Sequence, residues 1–553
     1  MTSSPDGGGR ASTWAHRGRG VATGLITALV AIGVAQLVAG FTGPQFSPVV
    51  AVGGAAIDNA PAPVKNFAIS TFGANDKRVL ITGILVVLAV FAALIGIAAL
   101  RRLAFGLAGL AVFTLVGLAA ALTRPDSSAI DALPVLAGAV AGAYTMYRLA
   151  KAASATERAL SAPPPGATVP ALAGGAPDTG GSWAAAGPPP RPVEPAFRPG
   201  RRAFLVTGSV AVVAGWAGVL AGQRLAGPSS AVVRARTTLR FPPPAHPAPP
   251  LPAGSDLHIN GLSPFITPNG SFYRVDTSLI LPEVDPASWQ LRIHGMVDRE
   301  LTITFADLIR MPLTEDYITL CCVSNPVAGP YIGNARWLGA SLASLLRSAG
   351  IRSGADQLLC TSADGFTSGT PVQVVMDGRD ALVAVAMNGA PLPVAHGFPA
   401  RLVVPGLYGY VSACKWVTDI NVTTFADAQG YWIPRGWSQQ APIKTESRID
   451  VPNGSGPVTA GRTQVAGVAW AQHKGIDAVE VRVDGGAWHQ ARLAAVPGID
   501  TWRQWVWDWD ATPGDHRIEA HATDATGYTQ TPVQAPPEPN GASGYPVVTL
   551  SVG

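Results

Sequence analysis

The sequence predicts a multi-domain chain: N-terminal transmembrane helices, then an α+β domain, then a β-sandwich. Three observations carry this. Five charge-poor apolar runs lie before residue 225, mixed strand and helix patterns fill 255–438, and short strands with turn residues follow. Hydrophobic residues make up 48% of the 553 and charged ones only 13%, which is too apolar for an ordinary soluble or disordered chain. At roughly 150 residues per domain this length holds three to four units.

The apolar runs are Val21–Phe41, Val79–Leu100, Leu103–Thr123, Ser128–Tyr147 and Ala203–Gln223. Each is near the ~20 residues that cross a ~30 Å hydrocarbon core. The fourth contains Asp131, which must sit at an interface. Residues 1–150 are thus expected to form a four-helix transmembrane region, with the fifth helix in 201–224. Basic residues set the orientation. A cytoplasmic N-terminus places Arg10, Arg17, Arg19, Arg101, Arg102, Arg148, Lys151, Arg158, Arg191, Arg198, Arg201 and Arg202 inside, against Lys65, Lys77, Arg78 and Arg124 outside. Everything after Arg224 is then extracytoplasmic, in a multi-pass protein of the cell membrane.

Residues 151–200 are rich in Pro, Ala and Gly (SAPPPGATVPALAGGAPDTGG) and read as a cytoplasmic linker without a core. It ends in Gly200-Arg201-Arg202-Ala203-Phe204-Leu205 before a moderately apolar run, a string that resembles a twin-arginine export signal. That route moves folded proteins, which points to a cofactor inserted before export. A second Pro-rich linker is read at 225–254 (FPPPAHPAPPLP within it).

In 255–438, SWQLRIHG and ELTIT alternate like strands, while FADLIRMP and LGASLASLLRSAG have helical spacing. From 439 to 553, QVAGVAWA, AVEVRVDGGAWHQARL, HRIEAHATDATGYTQ and PVVTLSV read as strands of an Ig-like sandwich. Asp484-Gly485-Gly486 marks a hairpin. Trp488, Trp502, Trp505, Trp507 and Trp509 are read as packing residues rather than a binding platform.

Charge and cysteine content exclude several classes. Lys and Arg number 39 against 35 Asp and Glu, a net charge of +4, and no basic stripe decorates a helix, so nucleic acid is not an expected partner. Of the four cysteines, Cys321 and Cys322 are adjacent and Cys360 and Cys414 isolated, so neither a disulfide scaffold nor a CxxC zinc pattern is present. No CxxCH haem motif or iron–sulfur cysteine set is evident, and no haem is expected. The apolar runs lack the buried charges and repeats of a transporter.

The run Tyr317-Ile-Thr-Leu-Cys321-Cys322-Val-Ser-Asn325, followed by Ile332-Gly-Asn-Ala-Arg336-Trp337-Leu-Gly339, resembles the molybdenum-cysteine region of the sulfite oxidase family. Downstream, Met387–Pro393, His396-Gly-Phe-Pro-Ala-Arg401, Pro405-Gly-Leu-Tyr-Gly409 and Lys415-Trp416 resemble its pterin-binding segment. The C-terminal VRVDGGAWHQARL and Gly544-Tyr545 are similar to its Ig-like dimerisation domain, so a homodimer through that domain is compatible with the resemblance.

The resemblance implies a molybdopterin cofactor with one molybdenum per chain, held by Cys322, with Cys321 in a variable slot. Adjacent residues of an extended segment point to opposite faces, so one cysteine alone can face the metal. Implied cofactor contacts are Phe272, Tyr273, Arg274, Val275, Asp276, Asp364, His396, Arg401, Ser412, Ala413, Cys414 and Lys415. Arg401 can grip a phosphate bidentately, and Lys415 adds a point charge. Beside Cys322, the catalytic positions are Arg336 and Phe366. The family's vertebrate members carry two arginines where this chain has Pro326 and Val327, and Phe366 stands where a tyrosine is expected, which argues against sulfite as substrate.

The implied function is a membrane-anchored oxidoreductase performing two-electron oxo transfer on a small extracytoplasmic substrate, sulfite-like or sulfoxide-like. Electrons would pass to an external carrier: a cytochrome, a flavoprotein or a quinone-linked protein. A second reading is a non-catalytic membrane-anchored surface scaffold presenting an Ig-like binding module. A scaffold has no use for a thiolate at Cys322.

Overall fold

The computed structural model describes residues 7–43, 46–61, 64, 76–123, 129–161, 199–225, 230–456 and 458–553. The chain divides into two compact units, Met1–Gly227 and Pro228–Gly553.

The first unit is helical: α1 (Gly7–Thr42), α2 (Pro48–Asn59), α3 (Asp76–Arg101), α4 (Leu103–Leu122), α5 (Ala132–Ser161) and α6 (Pro199–Leu225). Five stretches are long and apolar enough to cross a membrane: His16–Thr42, Lys77–Arg101, Leu103–Leu122, Ala129–Ala155 and Arg202–Leu225. They coincide with the five runs read from the sequence. Val86, Val90, Leu94, Val112, Leu115 and Val213 stand exposed on these helices, as lipid-facing side chains do. Helix contacts rest on missing side chains. A Cβ on Gly24 would lie 1.8 Å from the carbonyl oxygen of Ala92, and one on Gly33 would lie 2.3 Å from that of Gly215, so α1 meets α3 and α6 backbone to backbone.

Between the first two spans lies the short helix α2, whose apolar PVVAVGGAAI is too short to span. One sequence reading is corrected here. Helix α5 continues to Ser161 and takes the first part of the 151–200 linker, because Ala-rich ASATERALS favours helix. Linker residues 162–198 lie outside the described residues. Asp131 closes a 3-10 turn, Ala129–Asp131, directly before α5.

The second unit opens with α7 (Ser230–Thr238). Here the reading of 225–254 as a linker is also corrected. Val232 of α7 is buried in one core with Phe272, Trp337, Leu392 and Phe398, and Arg236 donates from Nε to the carbonyl of Leu392 at 2.9 Å. The Pro-rich stretch after it is pinned at His246, whose N–H donates to Leu313 O at 3.2 Å and whose carbonyl accepts from Glu315 N at 2.8 Å.

Strands β1 (Gln290–Gly295) and β2 (Leu301–Thr304) come next, then α8 (Phe305–Arg310), β3 (Leu313–Cys321), β4 (Ile332–Ser341), α9 (Leu342–Ala349), β5 (Gln357–Ser362) and β6 (Thr367–Pro371). After α10 (Val372–Val375) come β7 (Leu382–Met387), β8 (Ala390–Pro391), β9 (Arg401–Val403), α11 (Gly409–Ser412) and β10 (Val417–Thr423). One sheet runs β2-β1-β10-β5-β6, with β1 and β10 parallel. The other runs β3-β4-β7-β8, with β9 paired to β7. Strand β7, LVAVAM, is buried at every position, so it reads as a continuous apolar run rather than an alternation. Thr304 starts α8 with a capping box to Asp307.

The remaining strands are β11 (Glu446–Val451), β12 (Gly461–Trp470), β13 (Ile476–Val483), β14 (His489–Gln490), β15 (Arg492–Leu493), β16 (Arg503–Ala511), β17 (Gly514–Asp524) and β18 (Val547–Val552). They form two four-stranded antiparallel sheets, β11-β12-β16-β15 and β14-β13-β17-β18. Between them lies a core of Ile449, Val465, Val479, Trp505, Trp509 and Ile518. The turn from β13 to β14 has Asp484 at φ +54° and Gly485 at φ +70°, the left-handed pair that a tight hairpin needs. Trp470 and Trp502 belong instead to the core of the preceding sheets. Trp502 donates from Nε1 to Phe265 O at 2.9 Å and from its N–H to the Thr319 hydroxyl at 2.7 Å.

Candidate active site

Strand β3 carries the two adjacent cysteines to the start of a tight loop. The N–H of Cys322 donates to Tyr331 O at 2.9 Å, and the Cys322 carbonyl accepts from Asn325 N at 3.0 Å. Asn325 closes the loop by accepting from Tyr331 N at 2.8 Å. Gly329 N donates to Pro326 O at 2.8 Å, with Ala328 at φ +61° in the bend. All four cysteines are free and buried.

The adjacent thiols meet different surroundings, as an extended segment demands. Burial raises both. The charged side chains acting on Cys321 are Glu446, which adds to the rise, and Arg448, which opposes it. Around Cys322 the Ser324 backbone and hydroxyl, and then the Lys415 charge, oppose the rise.

Four separate segments converge beside Cys322. Phe272 packs edge-on to Trp337 at 5.8 Å and to His396 at 5.5 Å, and stacks on Tyr273 at 5.2 Å. Burial holds the Tyr273 hydroxyl well above its ordinary range; Cys322 and Cys321 add to this and Arg401 opposes it. Lys415 Nζ lies 2.9 Å from Asp276 Oδ2 and donates to Val275 O at 3.2 Å. Arg274 reaches the same carboxylate at 2.7 Å. Burial lowers Lys415 to about 8, with Asp276 opposing. His396 is brought down to about 4 by burial first, then by Arg401 and Lys415, so its ring is neutral at pH 7. Its Nε2 lies 3.2 Å from Asn269 O.

Arg401 is 5% exposed. Among the described residues its donors reach carbonyls only: Nη1 to His396 at 3.1 Å, Nη2 to Ala413 at 3.3 Å and Nε to Leu402 at 3.3 Å. Burial depresses it to about 10. Gly397 makes the fit possible at φ +109°, since a Cβ there would lie 2.9 Å from that of Arg401.

The remaining candidates fall at the edge or elsewhere. Ser412 spends its hydroxyl on Leu407 O and Tyr408 O inside α11. Cys414 packs in the interior with Cys360; the Ala413 N–H donates to Gly409 O and its carbonyl accepts from Arg401. Asp364 caps its own turn, accepting from Phe366 N at 3.2 Å, next to Ala363, whose N–H donates to Trp416 O. Phe366 packs against Tyr431 at 5.7 Å. Arg336 lies opposite Tyr317 in the β3–β4 register, while Cys321 lies opposite Ile332. It pairs with Glu315 at 3.3 Å and is not among the groups gathered at Cys322. Asn325, the last residue of the cysteine motif, holds the cysteine loop. Asn269, whose carbonyl holds His396, is not singled out by the sequence, because a lone turn asparagine carries no distinguishing pattern.

The family model described as the oxidoreductase molybdopterin binding domain matches residues 278–432. The chain is 31% identical over 326 residues to the sulfite oxidase of Gallus gallus, covering 49% of this chain and 69% of the chicken protein. To the mitochondrial sulfite oxidase of Mus musculus it is 29% identical over 292 residues, covering 44% of this chain and 52% of that one. The sulfane dehydrogenase SoxCD structure from Paracoccus pantotrophus overlaps 52% of this chain and 84% of that chain at 24% identity, with a TM-score of 0.46. That likeness is too loose to bear on function.

Fold and comparisons together define a molybdenum-cofactor-dependent oxidoreductase. The chain belongs to the sulfite oxidase family. It spans about half the length of the mouse relative and more of the chicken one.

The residues present fit the cofactor. A buried guanidinium without a carboxylate partner among the described residues is costly, several kcal/mol per ion in a protein interior. Arg274 and Lys415 share one carboxylate, Asp276, while the Arg401 donors end on carbonyls. The excess positive charge suits an anion, and molybdopterin carries a phosphate.

Proposed function

We propose that this chain is a membrane-anchored, extracytoplasmic oxidoreductase that transfers an oxygen atom to or from a small substrate and exchanges two electrons with an external carrier. The observation that carries the reading is the juxtaposition of buried Cys322 with the under-neutralised cations Arg401 and Lys415.

The molybdenum centre supplies two-electron oxo-transfer chemistry when bound. Cys322 would hold the metal as a thiolate, giving up its proton on binding. Arg401 and Lys415 would hold the phosphate, with Asp276 fixing the Lys415 ammonium and Trp337 lying 5.1 Å beneath the Arg401 guanidinium. Neutral His396 and the Tyr273 hydroxyl would offer hydrogen bonds to the pterin rings, and Phe272 fixes both rings in place. The 412–414 backbone and the 364 turn would line the same pocket.

On the substrate side, the uncharged Pro326 and Val327 stand where the family's vertebrate members carry two arginines, which supports a neutral, sulfoxide-like substrate over sulfite. The two C-terminal sheets serve in this reading as an Ig-like module able to pair with a second copy. The five apolar helices anchor the chain, and Arg201-Arg202 direct export of the folded domain.

The test is elemental analysis of the full-length protein from a host that makes the cofactor, combined with a sulfite-versus-sulfoxide activity screen. Bound molybdenum at about one per chain, with turnover lost in Cys322→Ser, is the expected result. Metal-free protein from such a host contradicts it.

A further inference from the structure

Oxo transfer moves protons as well as electrons. Removing oxygen from a substrate XO follows XO + 2e⁻ + 2H⁺ → X + H₂O, with the electrons supplied by the external carrier; the opposite direction releases both protons. Cys322 is only 9% exposed, so protons that do not share the substrate's path need a route through the protein.

Next to Cys322, Cys321 is acted on by two charged side chains, Glu446 and Arg448, that the cofactor contacts do not use. Glu446 on β11 is 4% exposed and stands opposite Trp470 of β12 in the strand register. Trp470, Tyr408 and Cys321 belong to one continuous core. Gln472 is tied to β3 by its donation from Nε2 to Thr319 O at 3.1 Å, two residues before Cys321. Among the described residues, four buried atoms of this region have no hydrogen-bond partner: Glu446 Oε1, Trp470 Nε1, Asn325 Nδ2 and Gln472 Oε1.

Two of these are donors and two can accept. Left dry, each would cost about 1–3 kcal/mol; water bridging such groups is the ordinary solution. Lys444, two residues before Glu446, lines an open cleft of about 340 Å³ with Pro442, Lys474, Tyr528 and Thr531. Its Nζ donates to Asn540 Oδ1 at 3.0 Å and to Gly541 O.

Resting on the proposed reading, we infer that Glu446 is the proton-relay residue of the molybdenum site. Its carboxyl holds a proton in a hydrated chamber against Cys321, Asn325, Tyr408 and Trp470, and exchanges it with the cleft beside Lys444. Burial pushes Glu446 up to about 8 with Lys444 opposing, so the carboxyl carries its proton at neutral pH. The ionisable groups facing it are Lys444, the Tyr408 hydroxyl and the Cys321 thiol, with Arg448 beyond Cys321. Glu446 acts through water and touches neither substrate nor cofactor.

The experiment uses the full chain. Infrared pH titration of wild type against Glu446→Gln reads the carboxylic acid directly, whether or not metal is bound. A protonated C=O band that is lost as pH rises through about 8, and is absent from Glu446→Gln, is expected. In the loaded enzyme Glu446→Gln retains molybdenum, loses about a hundredfold in kcat and loses the alkaline limb near pH 8; Glu446→Asp recovers part of both. Lys444→Gln, which leaves the interior intact, removes a charge that lowers the carboxyl and so moves band and limb to higher pH. An unchanged pH profile in loaded Glu446→Gln, or a band and limb unmoved in Lys444→Gln, overturns the relay. Absence of molybdenum from wild type would instead overturn the proposed function, with the infrared result standing apart from it.

Discussion

The guanidinium of Arg401 lies 5.1 Å over the ring of Trp337, the tryptophan five residues after Ile332 in β4, and every hydrogen bond it makes ends on a backbone carbonyl. A cation–π contact and three carbonyls soften, without neutralising, a charge buried to 5% exposure. The site therefore holds an unmet demand for negative charge, built by the fold before any ligand arrives.

Replacing Arg401 by Met should separate stability from loading. The apo chain gains about 1 kcal/mol or more, because a buried uncompensated charge is replaced by an apolar side chain of similar volume, while molybdenum content falls severely. Thermal unfolding of metal-free protein and elemental analysis read the two effects. A variant that loads normally would remove Arg401 from the phosphate site.

Anion affinity should depend on Lys415. Its amine titrates at about 8, so the side chain is cationic below that pH and neutral above it. Binding of inorganic phosphate to apo protein, followed by calorimetry, weakens as pH rises through about 8. In Lys415→Arg that loss disappears, because a guanidinium keeps its charge.

Gly397 is required by its backbone. An alanine at φ +109° with a Cβ 2.9 Å from that of Arg401 costs about 1–3 kcal/mol. Gly397→Ala is expected to lower the unfolding midpoint and to reduce molybdenum retention, since it displaces the guanidinium. Chemical denaturation with metal analysis checks both.

In the helical unit, Gly33→Leu should separate α1 from α6, since the backbones meet there with no room for a side chain. Cysteine pairs placed across that contact cross-link in the parent and lose cross-linking in the variant.

The export reading predicts that Arg201→Lys with Arg202→Lys leaves the C-terminal unit inside the cell. A reporter fused after Val552 that still appears outside would remove the twin-arginine assignment.

How much was legible followed from how local each signal is. The apolar runs are local, and all five became helices of sufficient length. The Asp484-Gly485 hairpin is local too, because its positive φ pair depends on those residues alone. The Cys321-Cys322 segment and the His396–Arg401 stretch were found as ordered motifs, and the fold brings them together. Arg336 shows the limit: the family resemblance implied a place for it in the site, but in the fold it lies opposite Tyr317 in the β3–β4 register and pairs with Glu315. The 230–254 stretch read as linker because Pro-rich composition carries no trace of the surface that Val232 and His246 would meet. Glu446 was invisible for the same reason, since its meaning comes from Trp470 and Cys321, partners distant in the chain.

The central claim is that Cys322, rather than its neighbour, holds the metal. X-ray absorption at the molybdenum edge of full-length holoprotein tests it directly. The account predicts a protein sulfur ligand that persists in Cys321→Ser and is lost in Cys322→Ser. Loss of that ligand in Cys321→Ser, with retention in Cys322→Ser, would contradict it.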